Sequence, residues 1–162
     1  MATRHTTIRI HVDADSAIRR MVAMKKRAND MRPVLWRAHQ WLRFANEENF
    51  RQGGLPSGGW SPLDPQYAAW KKVREPGAPQ MIRTGRLYSS LSSLTGPPNS
   101  VDLMTATFGT SIEYAKFHQY GTTKMPKRKV VYEPLGFASR LGAVAATYVK
   151  HGTIRSVMEA ML

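Results

Sequence analysis

Arg83-Thr84-Gly85-Arg86-Leu87, then Tyr114-Ala115-Lys116-Phe117-His118-Gln119-Tyr120-Gly121, then Pro126-Lys127-Arg128 are the landmarks of the stretch, residues 84–128, around which this chain is organised. Thr84 is placed to cap a helix carrying Leu87, Leu91 and Leu94 on one face, with Gly96-Pro97-Pro98 as its stop. Residues 101–108 read as a strand ending at Gly109-Thr110, and residues 112–120 as a short aromatic helix stopped by Gly121. Residues 129–132 read as a further strand. Leu87, Tyr114 and Phe117 are expected in the core, with His118 and Gln119 as polar anchors of a turn. Aromatic packing beside a basic exit, with no reaction centre between, reads as an assembly surface.

Upstream, residues 6–12 alternate, with Ile8, Ile10 and Val12 on one face and Thr7, Arg9 and His11 on the other, the period of a half-buried strand. Asp13 or Asp15 then offers an N-cap for a helix whose apolar positions Ala14, Ile18, Met21, Val22 and Ala28 fall on one side and whose basic residues fall on the other. Pro33 suits the first turn of a second helix, where the N–H it lacks has no partner, or a kink in one long helix. Val34, Ala38, Trp41, Leu42 and Ala45 form its stripe, widened by Leu35 and Trp36. Gln52-Gly53-Gly54-Leu55-Pro56-Ser57-Gly58-Gly59 is too densely punctuated for a regular element and reads as a mobile loop over about residues 52–59.

Trp60 is expected to be buried. Asp64-Pro65 starts a short helix that ends near Glu75-Pro76-Gly77. A C-terminal helix is expected over about residues 136–162, with Phe137, Leu141, Val144, Ala145 and Tyr148 at helical spacing. These elements predict an α+β fold: a small antiparallel sheet packed against several helices, a long amphipathic N-terminal helical region and a mobile Gly/Pro loop. The length of 162 residues suits a single domain over residues 1–162.

Composition closes several routes. The chain has no cysteine, so it has neither a disulfide framework nor a thiolate zinc site. The five histidines, at positions 5, 11, 39, 118 and 151, form no i, i+4 pair, so spacing offers no metal site. No Gly-x-Ser-x-Gly elbow occurs, and the glycine-rich stretch runs into Trp60-Ser61-Pro62 where a phosphate loop would need Lys followed by Ser or Thr. Carboxylates are few and dispersed, against a two-metal nuclease or a paired-carboxylate hydrolase. No signal-like or membrane-length apolar run occurs, so the expectation is a soluble, unexported protein without enzymatic activity. The formal charge of +13, from 24 Lys and Arg against 11 Asp and Glu, favours polyanions or acidic protein surfaces as partners.

The order of Trp60-Ser61-Pro62-Leu63, Tyr67 with Lys71, Ile82-x-Thr84-Gly85-x-Leu87 with Ser90, Phe108-Gly109-Thr110, Tyr114-Ala115-x-x-His118-Gln119-x-Gly121 and Pro126-x-Arg128 resembles the virion-morphogenesis or tail-completion proteins of tailed phages. The resemblance covers about residues 50–128, and order and spacing together carry it. It implies a structural protein of the neck or tail, of the neck or tail-terminator type. The resemblance implies a homo-oligomeric ring, hexameric, that completes the tail or joins it to the head connector. The implied partners are further copies of itself, connector or head-closure proteins, tail-tube or terminator proteins, and DNA in the ring lumen. No cofactor, metal or membrane is implied, and the place is the virion, assembled in the host cytoplasm. Trp60, Tyr67, Lys124, Lys127, Arg128 and Lys129 are the interface candidates; Thr84, Gly85, Leu87, Tyr114, Phe117, His118, Gln119 and Gly121 form the structural motif. A rival reading is a basic nucleic-acid-binding protein that uses residues 19–27 and 124–129.

Overall fold

The computed structural model describes residues 14–154. The strand expected over residues 6–12 therefore lies outside the described residues. Helix α1, Asp15–Ala28, has Ala14 at its N-cap with no side-chain cap, so Asp15 sits inside the first turn, where its carboxylate meets the positive end of the helix dipole. Helix α2, Arg32–Arg51, begins with Pro33 in its first turn, as expected. Its buried positions Val34, Ala38, Trp41, Ala45 and Asn49 recur every three or four residues, and Asn46 and Phe50 widen the stripe. Trp36, on the flank of that stripe, remains exposed.

Residues 53–60 turn tightly rather than wander. Leu55–Ser57 form a 3-10 turn, Gly54 N–H donates to the Asn49 carbonyl at 2.7 Å, and Gly59 N–H donates to the Gly54 carbonyl at 2.8 Å. Gly54 has φ +83° and lies under Trp60, where a Cβ would stand 2.3 Å from the indole. Helix α3, Pro65–Arg74, is capped by Asp64, whose Oδ1 accepts from the backbone N–H of Gln66 at 3.0 Å and of Tyr67 at 3.1 Å. Helix α4, Arg86–Ser92, is entered through Gly85 at φ +75°, not through a Thr84 cap. It buries Leu87 and Leu91 and stops before Leu94.

The run expected as one strand over residues 101–108 folds back on itself. β1, Ser100–Val101, pairs antiparallel with β2, Ala106–Thr107, across a turn in which Asp102 N–H donates to the Thr105 carbonyl at 2.8 Å. The buried His39 ring ties this hairpin to α2, with Nε2 donating to the Thr107 carbonyl at 3.1 Å. Helix α5, Ala115–Tyr120, is closed by Gly121, whose N–H donates to the Phe117 carbonyl at 2.9 Å. It turns Ala115 to the core, so Tyr114, 37% exposed, and Phe117, 46% exposed, face outward; their expected burial is corrected. Helix α6, Phe137–His151, ends at Gly152 in the left-handed conformation; of the helix expected over 136–162, residues 155–162 lie outside the described residues. The Arg27 guanidinium holds this end, donating from Nε to the Val149 carbonyl at 2.8 Å and from Nη2 to the Lys150 carbonyl at 3.1 Å.

The architecture is α+β, dominated by helices, with the two-stranded hairpin as the sheet among the described residues. α2 is its spine. Its C-terminal half supplies Phe50 to a core with Trp60, Leu87, Leu91, Ala115 and Val130, where the Phe50 and Trp60 rings meet edge to face at 5.2 Å. Its middle supplies Trp41 and Ala45 to a second cluster with Tyr132, Phe137 and Val144. Among the described residues, 129–132, expected as a strand, pair with no other strand. Side chains satisfy their backbone instead: Gln119 Oε1 accepts from Val130 and Val131 N–H at 2.9 Å each, and Gln119 Nε2 donates to the Val131 carbonyl at 3.1 Å. Asn49 Nδ2 and the Trp60 indole both donate to the Lys129 carbonyl, at 3.0 and 2.9 Å.

Candidate assembly surface

Arg128 explains why residues so far apart in sequence belong to one pattern. It is buried, its Nε donates to the Ser61 carbonyl at 2.8 Å and its Nη2 to the Pro62 carbonyl at 2.6 Å, while its own N–H donates to the His118 carbonyl at 2.7 Å. One side chain thus fastens the Trp60-Ser61-Pro62 segment to α5. Lys71 does the same for the next connection: its buried ammonium donates to the carbonyls of Pro79, Gln80 and Ile82. Burial pushes the Lys71 pKa down, with Glu75 opposing, and three carbonyl acceptors match the three protons of the charged form.

These ties frame a groove of about 560 Å³ between α3, the segment leading into α4, the start of α5 and residues 124–128. Tyr67, Thr84, Gly85, Tyr114, His118, Lys124 and Arg128 all line it, with Leu63, Met81, Leu87 and Met125 supplying the apolar floor. Eight of the fourteen interface and structural-motif candidates therefore converge on one concavity. On one wall Tyr67 stacks on Trp70 at 5.6 Å and 22°, and the Arg83 guanidinium lies 5.1 Å over the Trp70 ring while its Nε donates to Glu75 at 3.1 Å. His118 is half-buried; burial, and then the nearby Arg128 charge, hold its pKa below the usual histidine value.

The interface candidates separate. Tyr67, Lys124, Lys127 and Lys129 lie at the surface. Trp60 and Arg128 do not: the indole N–H is spent on the Lys129 carbonyl and the guanidinium on Ser61 and Pro62, so both hold the chain together from inside. Asn46, Asn49 and Arg83 were missed by the sequence reading. The two asparagines carried a signal, because each stands four residues after a member of the apolar stripe, at Leu42 and Ala45. Among the described residues no cluster of His, Asp and Glu is arranged to hold a metal ion, and no helix is long and apolar enough to cross a membrane.

A sequence model of the phage virion morphogenesis family matches residues 13–146. The chain belongs to this family. The match runs from the start of α1 into α6, wider than the pattern around the groove. Membership in the virion morphogenesis family gives the protein a structural or assembly role in the phage virion. No curated protein and no solved structure matches the chain.

Proposed function

We propose that this virion morphogenesis protein is a neck or tail component that associates with further copies of itself into a ring, hexameric in our reading, completing the tail or joining it to the head connector. The observation that carries the reading is the uncovered apolar stripe of α1. Ile18, Met21 and Val22, spaced i, i+3 and i+4, are 51%, 61% and 63% exposed. α1 meets its own chain through its C-terminal half, against α6, and leaves its first turns in solvent. A wet apolar stripe on an amphipathic helix calls for a partner surface. A second copy supplies one head to tail, and repetition of that contact closes a ring.

The rest of the reading follows from charge and family. Connector or head-closure proteins and tail-tube or terminator proteins are the neighbours of such a ring, and its place is the neck or tail of a virion assembled in the host cytoplasm. The basic residues of α1, Arg19, Arg20, Lys25 and Lys26, suit DNA passing through the lumen. The role needs no catalysis and no cofactor. Light scattering on the size-exclusion peak, with negative-stain images of the protein alone and mixed with tail tubes, tests it. Rings that dissociate in Met21→Asp are expected. A protein that stays monomeric at all concentrations and never associates with tubes or connector would overturn the reading.

A further inference from the structure

The groove is a second uncovered surface, apart from the α1 stripe, and its chemistry differs. Its floor is apolar, through Leu63, Leu87 and Met125, and its rim carries Arg86 and Lys124, both exposed. The carboxylate lining it, Asp64, is spent on the α3 N-terminus. At about 560 Å³ it lies within the range of clefts that enclose a few side chains, about 300–1,000 Å³. We propose that this groove receives an extended acidic segment of a different virion protein, with apolar side chains on the Leu63, Leu87 and Met125 floor and carboxylates paired with Arg86 and Lys124.

Charge complementarity selects that occupant. A second copy of a chain with 24 cations against 11 anions brings like charge to a cationic rim. Single-stranded nucleic acid needs a track of cations and open aromatic faces. Here Arg128 is consumed by two carbonyls, Arg83 by Glu75 and Trp70, and the Tyr67 face by the Trp70 stack. What remains is two flanking cations over an apolar floor. An acidic peptide with interspersed apolar residues matches that pattern, whereas a uniform polyanion leaves the floor unfilled. The inference rests on the assembly reading only in taking the partner from the virion; the groove is filled by another protein, and the ring is closed elsewhere.

The test uses the full chain and fluorescence anisotropy. The probe is a labelled synthetic peptide alternating Glu and Leu, compared with its Gln and Leu counterpart and with labelled oligothymidine. Saturable binding of the acidic peptide is expected, weakened about tenfold or more in the Gln peptide and in the double variant Arg86→Glu, Lys124→Glu, and unchanged in Arg140→Glu, Lys150→Glu on α6. The milder pair Arg86→Gln, Lys124→Gln, with melting temperature checked, gives the same ordering. No saturable binding, equal binding by the groove variants, or tighter oligothymidine binding lost on the same substitutions would overturn it. A groove variant whose oligomeric mass drops would assign the groove to a second copy, and overturn it as well. Rings lost in Met21→Asp with peptide binding intact leave this inference standing, and intact rings without peptide binding remove it alone.

Discussion

The Asn46 side chain pairs with the Tyr132 backbone as a neighbouring strand would: Nδ2 donates to the Tyr132 carbonyl at 2.9 Å and Oδ1 accepts from the Tyr132 N–H at 2.8 Å. Its second amide proton goes to the Leu42 carbonyl at 2.8 Å. Asn46 is fully buried, so no water stands ready to replace it. Asn46→Leu keeps the branched shape at a larger volume and strands a buried N–H and C=O, at about 1–3 kcal/mol per group. The expected loss is about 2–4 kcal/mol in urea unfolding. Gln119 serves the adjacent residues Val130 and Val131, so Gln119→Leu acts on the same segment and the two losses are expected to fall short of additive by about 0.5 kcal/mol or more. Strict additivity would mean that residues 130–132 are not held as one unit.

Gly54 is the next point where the fold admits little change. Its φ of +83° disfavours any side chain, and an added Cβ would sit 2.3 Å from the Trp60 ring, which is itself tied to the Lys129 carbonyl. Gly53, at φ +61°, opens onto free space. Gly53→Ala is therefore expected to cost about 1 kcal/mol, the backbone term alone, and Gly54→Ala about 3 kcal/mol or more, because the indole must move out of the core. Thermal melts of the two variants side by side check the ordering. Equal losses would show that Trp60 gives way freely.

How much of this was open to sequence reading depends on whether the cause was local. Asp64-Pro65, Pro33 and Gly121 marked helix ends correctly because the capping atoms lie within a turn of the residue that signals them. Residues 129–132 were read as a strand because alternation reports extended backbone; it carries no record of what pairs with it, which here is a set of side chains from α2 and α5 and the Trp60 indole. Phe117 was placed in the core on its size, yet a six-residue helix has one inward face and Ala115 occupies it. The residues of the groove were mostly named in advance. That Arg128 turns inward was hidden, since its acceptors are the carbonyls of Ser61 and Pro62, which any residues would provide.

His118 gives the fold a dependence on acid. Burial first, and the Arg128 charge second, put its folded pKa below the unfolded value of about 6.5. The unfolded chain therefore binds the proton more readily, and stability rises with pH across that window. The contribution is complete above about pH 6.5 and is lost as pH falls through and below it. In His118→Gln this dependence is absent. The stability difference between wild type and His118→Gln, measured by urea unfolding from pH 8 down to pH 5, is expected to shift against the wild type as pH drops. A flat difference would mean that His118 is not desolvated in the folded chain.

Phe117 and Leu91 separate what holds the chain together from what it offers to others. Leu91 is 1% exposed and packs beside Phe50 and Leu87, so Leu91→Ala is expected to cost about 2–5 kcal/mol through lost burial and the cavity left behind. Phe117 is nearly half exposed on the outer face of α5, with the Lys116 ammonium 5.2 Å from its ring. Its removal uncovers no cavity, and a loss below about 1 kcal/mol is expected for the isolated protein, as for Tyr114→Ala at the groove edge. In the proposed assembly, this exposed aromatic belongs to a contact made after folding. Phe117→Ala is then expected to melt within a few degrees of the wild type while the mass of its assemblies, read by light scattering, or its capture on tail tubes declines. Unchanged assembly would assign Phe117 no role beyond α5, and a large fall in melting temperature would return it to the core.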